Sequence, residues 1–241
     1  MSEAVSTTGV AAPATENKTK KTRSPINQAF ARDLTRAQSV GLAAQNADYA
    51  PALGNRDIDE DFVNELLSGV DAARSKAGDA VVNTTAHRNA TAAEDAAGHA
   101  LQAGLQEAQK AAKQKYARTN RIALADYFIG KKLNGSRPNL MQTSQTIITR
   151  LGADKLPGFT TVKVRNLGVQ RQAWVDAQSK RADAETAARG SRAGFKTLVK
   201  SVKDRKIAVQ LAADAEWPHT DAENAGIRRE FALSPRSPLN V

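Results

Sequence analysis

Cysteine is absent from the 241 residues. That excludes disulfides, thiolate metal sites and cysteine nucleophiles, and leans towards a cytoplasmic location. Aromatic residues make up 5% of the chain and apolar residues 41%, much of it alanine. Alanine buries far less surface than leucine or phenylalanine, so a thick globular core is disfavoured. It is also the best helix former and lets helix backbones approach, which favours rods or bundles of helices. No apolar run comes near the roughly 20 residues that span a bilayer, so no membrane insertion is expected. The opening MSEAVSTTGVAAPATENKTKKTRSP lacks the basic-then-apolar order of a signal peptide. The sequons at Asn17, Asn83, Asn89 and Asn134 accordingly read as chance matches.

The residues that carry chemistry are also sparse or badly spaced. His87 and His99 lie 12 apart, whereas two histidines on one helix share an ion at spacings of 3 or 4. His219 stands alone in the tail, and no metal site is expected. Gly130 to Ser136, GKKLNGS, has glycines and lysines but no Lys before its final Ser and no preceding strand, so it is not a phosphate loop. The acidic group Asp57, Asp59, Glu60 and Asp61 is explained by a helix start: Asp59 caps, and the others meet the positive end of the helix dipole. No nucleophile elbow and no apolar pair of acids appears. The chain is expected not to be an enzyme, to need no cofactor and to have no evident small-molecule substrate.

What is present is helix periodicity. Residues 1–24 are Ala, Thr, Ser and Lys without an apolar period and read as a disordered basic tail. A helix with Phe30, Leu34 and Ala37 on one face follows, then the loop DYAPALGNRDID. From Asp59 a seven-residue register runs through Val63, Leu66, Val70, Ala73, Ala77 and Ala80, then Thr84, His87, Thr91 and Glu94. It continues through Gly98, Leu101, Leu105, Ala108 and Ala112. Its ends are apolar, its middle is polar, and no proline interrupts it. That middle fits either a hairpin turn or the wet centre of one helix more than 50 residues long. The unbroken register favours the single helix.

Shifting by 101 residues superimposes a second copy of the pattern. Ile58-Asp59 meets Phe159-Thr160, Val63 meets Val164, Leu66 meets Leu167, Arg88 meets Arg189, and Tyr116 meets Trp217. The fold class predicted is all-α: an elongated antiparallel helical bundle with coiled-coil-like long helices and an internal duplication. Its units are residues 25–117 and 139–217, joined by an apolar and basic connector at 118–138. Ile122, Leu124, Tyr127 and Phe128 of the connector are expected in the core, and Pro138 is expected to open the next helix. Pro218 must stop the last long helix. Residues 218–241 form an extended tail with a short helix, in which Asp221 is a candidate cap. Trp217 is expected to plug the end of the second unit's helix, and Ile227, Phe231 and Leu233 to fold back on the bundle; failing that, these four are the candidates for docking into a neighbouring molecule.

The net charge of +10 is unevenly placed. Residues 31–116 hold 9 basic and 12 acidic groups, whereas residues 159–217 hold 12 and 6. Arg189, Arg192, Lys196, Lys200 and Lys203 step by 3 or 4 and share one helix face. With Lys131, Lys132 and Arg137 they are the candidate residues for binding nucleic acid or another polyanion. A solvated face partly paired with the acidic first unit accounts for the same pattern.

The stretches LAADAEWPHTDAENAGIRREFALSPRSPL, ADYFIGKKL and QTSQTI resemble a group of uncharacterised bacterial helical-bundle proteins with no assigned activity. The resemblance implies a bacterial source and a shared helical scaffold, and carries over no functional residue. The function expected is that of a structural or interaction protein, self-associating or binding another protein through coiled-coil-like faces. The alternative is a basic helical protein binding nucleic acid or another polyanion.

Overall fold

The structure, a computed structural model, describes residues 28–131, 133 and 136–239. The tail 1–24 and Lys132 lie outside these. Two short helices, α1 (Gln28–Ala44) and α2 (Ala50–Gly54), precede the long α3 (Glu60–Tyr116). A 3-10 turn (Ile122–Tyr127) leads to α4 (Arg137–Ala153), the long α5 (Thr161–Glu216) and the short α6 (Ala225–Glu230). No strand occurs among the described residues. The chain is an all-α bundle.

Both long helices begin at side-chain caps. Asp59 accepts from the Phe62 amide at 2.8 Å, and Thr160 accepts from the Lys163 amide at 3.4 Å. Each then runs unbroken, α3 for 57 residues and α5 for 56, so the polar middle is the centre of a continuous helix. Alanines on the flanks of the register supply helix propensity where its core positions cannot supply burial. α5 ends at Trp217, the residue before Pro218, whose conformation a following proline pushes away from helix.

The long helices pair antiparallel without slipping. Glu65 of α3 meets Arg205 of α5, Asn83 meets Ser191, and Glu107 meets Lys163. The partner thus moves back 42 residues, Arg205 to Lys163, as α3 advances 42, Glu65 to Glu107. Every apolar position of the α3 register is buried, together with Glu94 and Gly98, while Thr84, His87 and Thr91 are only half-buried.

A third helix covers this pair at each end. α4 starts near the middle and runs outwards, and α1 runs outwards to the opposite end from its first described residue, Gln28. Phe30 of α1 lies edge-on to Phe195 of α5 at 5.6 Å, and the Gly41 end packs on Leu66 and Leu67 of α3. Arg137 at the start of α4 meets Glu94, and near its far end Tyr127 donates to Asp154 at 2.8 Å. Two apolar cores result. One holds α1, the start of α3, the end of α5 and the C-terminal segment. The other holds the end of α3, the connector, α4 and the start of α5. Between them, for about 25 Å at 1.5 Å per residue, α3 and α5 lie together without a third helix among the described residues.

Three local expectations change. The loop after α1 contains a helical turn, α2, because Pro51 suits its first turn. Pro138 does not itself open α4: Ser136 caps a helix that starts at Arg137, with Pro138 in its first turn. The connector's apolar cluster divides. Tyr127 is fully buried, whereas Ile122, first in the 3-10 turn, is 86% exposed.

Candidate functional site

The middle of the rod centres on Glu94, buried at a core position of α3. Its carboxylate accepts from Arg137 through both Nε and Nη2, the latter at 2.9 Å, and Arg181 Nε of α5 stands at 3.5 Å. Arg137 reaches it because the Ser136 cap sets the first turn of α4 over α3. Beside the carboxylate lies a cleft of about 280 Å³ lined by His99, Gln102, Ser136, Leu140 and Trp174. Gly98 admits the indole, since a Cβ there would stand 3.3 Å from Trp174 Nε1. His87 Nε2, Gln178 Nε2 and Arg171 Nε are also buried along this interface and have no hydrogen-bond partner. Such a polar layer specifies register, because sliding either helix would bury Glu94 against apolar groups. Among the described residues no His, Asp and Glu side chains group as a metal site requires.

The basic candidates do not form one patch. Arg137 is engaged with Glu94, while Lys131 lies on the connector with its ammonium 5.8 Å from the centre of the Phe128 ring. On α5, Arg189 pairs with Glu185 one turn back, and Arg192 donates to Thr84 Oγ1 at 3.1 Å. Lys196, Lys200 and Lys203 are exposed and make no ion pair among the described residues. The stripe's free charge therefore lies towards the end that α1 covers.

The C-terminal segment folds against that same end. Phe231 and Leu233 are buried, and Trp217 and Ile227 are half-buried against the same cluster. Trp217 stacks on Phe231 with centroids 5.4 Å apart, and Tyr49 packs edge-on to Trp217 at 5.3 Å. Gln210 Nε2 donates to the Phe231 carbonyl at 2.9 Å. Arg228 is fully buried and donates to the carbonyls of Trp217 (2.6 Å), Ser234 (2.8 Å) and Ser237 (3.0 Å) and to Asp214 Oδ1 (2.6 Å). Burial pushes the Asp214 carboxyl up. The Arg228 hydrogen bond, the Leu239 amide and the nearby charges outweigh it and hold the group below its ordinary value. Asp221 accepts from the Glu223 amide at 3.0 Å and so starts the turn into α6.

Glu94 was legible as a polar residue at a core position, but its two arginine partners were not. Arg228 left no signal, because a basic residue between Ile227 and Phe231 reads as the wet side of a short helix. Among the described residues no helix is long and apolar enough to cross a membrane. Comparison with family models, with curated proteins and with solved structures returned no match.

Proposed function

We propose that the chain is a structural or interaction protein: a stiff rod, built from a duplicated unit of one short and one long helix, that presents coiled-coil-like faces to a second copy or another protein. The observation that carries this reading is the full-length, slip-free pairing of α3 and α5, covered among the described residues by a third helix only at the ends. Residues whose burial costs little specificity make a core; here polar groups occupy the centre, and they hold register rather than perform chemistry. The lengths of α3 and α5, equal within one residue, support duplication. The uncovered stretch, with Val82 exposed on it, is the face offered to a partner. A chain without cysteine has no disulfide to lose in the reducing cytoplasm, which is the setting we propose.

Small-angle scattering with light-scattering mass tests the reading. A rod of about 85 Å is expected from 57 residues at 1.5 Å rise. A compact particle half that long would overturn it. If the uncovered face mediates self-association, mass should rise with concentration, and Val82→Glu should abolish the rise.

A further inference from the structure

We propose that the valley between α1 and α5 binds the phosphate backbone of duplex nucleic acid without sequence preference. α1 lies along α5 in the same direction, since Phe30 meets Phe195 near the middle and Tyr49, just past α1, meets Trp217 near the end. Each helix turns one flank to α3. On α1, Gln38 accepts from Arg74, and Gln45, just past the helix, donates to Asn64. On α5, Arg205 reaches Glu65. By helical geometry the opposite flanks face each other's side. They carry Arg32 and Arg36 from α1, and Lys196, Lys200, Lys203 and Lys206 from α5.

Of these six cations only Lys206 is half-buried, and none forms an ion pair among the described residues. Two acids lie beside them: Asp33 on α1, and Asp204, exposed one turn after Lys200 on α5. Lys206 senses Asp33, Lys203 and Arg36 together, which places the two flanks within electrostatic reach. Burial first, and then these like charges against Asp33, lowers the Lys206 pKa. Unpaired like charges held on a rigid surface are a standing cost to the fold that an anion relieves.

The chemistry around the cations selects the polyanion. Phe30 and Phe195 close the valley floor against each other, so no exposed ring is offered for base stacking, which disfavours a single strand. No large exposed apolar side chain stands among the six, so a lipid surface finds no anchor. Arg36, Lys196, Lys200 and Lys203 have no Asn or Gln one turn away, and cations so placed contact phosphates rather than read bases. From Lys196 to Lys206 the row spans about 15 Å, matching on the order of four phosphates of one strand at 3.4 Å each.

Fluorescence anisotropy with a labelled random duplex of about 25 base pairs tests the surface across salt concentrations. For the full chain, log affinity should fall against log salt with a slope of about −4. The triple variant Lys196→Glu/Lys200→Glu/Lys203→Glu and the α1 pair Arg32→Glu/Arg36→Glu should each weaken binding at least about 10-fold. The control Lys110→Glu/Lys113→Glu, at the other end of α3, should cost under about 3-fold. Helicity by circular dichroism checks that variants fold, and the Gln versions of the same sites should give smaller losses in the same order. Three results would overturn the proposal: no duplex binding at about 50 mM salt, equal losses in the control and the α1 pair, or polyglutamate competing as well as unlabelled duplex. The last outcome would reassign the valley to an acidic protein.

Discussion

Arg228 illustrates how one side chain can hold a chain terminus. It is the largest fully buried side chain among the described residues, and its guanidinium binds three backbone carbonyls and Asp214. Arg228→Met keeps the apolar stem but leaves those acceptors and the carboxylate without their donor. Removing one partner of a buried pair typically costs 3–5 kcal/mol; because Asp214 is partly exposed and can rehydrate, a loss of about 3 kcal/mol is expected in urea unfolding. Glu94→Ala should cost less, about 2 kcal/mol, because Arg137 and Arg181 both retain access to water. The Asp214 carboxyl is lowered in the folded chain, so its stabilisation is complete above the unfolded value near 4 and is lost as pH falls through the folded value. Hydrogen exchange of residues 225–233 should therefore quicken below about pH 4, while exchange in α4 stays slow at the same pH. Unchanged exchange there would remove the Asp214 lock.

At the scale of elements, the long helices are limited by their polar centre. Gly190 and Gly194 lie inside α5, where an added Cβ meets nothing within 4 Å. Gly190→Ala and Gly194→Ala should each raise stability by about 0.5–1 kcal/mol, because alanine loses less backbone entropy in a helix and no contact is disturbed. Calorimetry reads this as a higher Tm, and a fall would show that the centre is not regular helix. The heptad of α3 was legible because each apolar residue occupies its register in sequence, and helix packing preserves that local order. The connector was less legible. Ile122 and Tyr127 belong to one apolar run, yet the 3-10 turn aims the tyrosine inwards and the isoleucine out. Hydropathy cannot distinguish them, since the direction of each side chain depends on a turn geometry shared with α3 and α4.

For the whole molecule, two separated cores mean that damage should stay local. Leu66→Ala and Leu105→Ala both remove a fully buried side chain, one from each core, and each should cost about 2–5 kcal/mol. Hydrogen exchange should quicken mainly at the end carrying the substitution, because few apolar contacts cross the centre to couple the two. Equal acceleration at both ends would show that α3 and α5 transmit the loss as a single cooperative unit.

The sequence by itself determined the helical class, the register of α3, both long-helix caps and the stop at Pro218. These depend on residues close in the chain, where propensity, period and backbone sterics act. Tertiary structure decided that the polar middle is continuous helix, because only α5 lying alongside can offer Arg181 to Glu94 and Ser191 to Asn83. It also decided which cations are free. Arg189, Arg192 and Arg137 are engaged, while Arg32, Arg36 and Lys206 join the lysine row from a second helix or a later turn. Charge pairing is set by neighbours distant in sequence, so a stripe read along one helix became a valley shared by two.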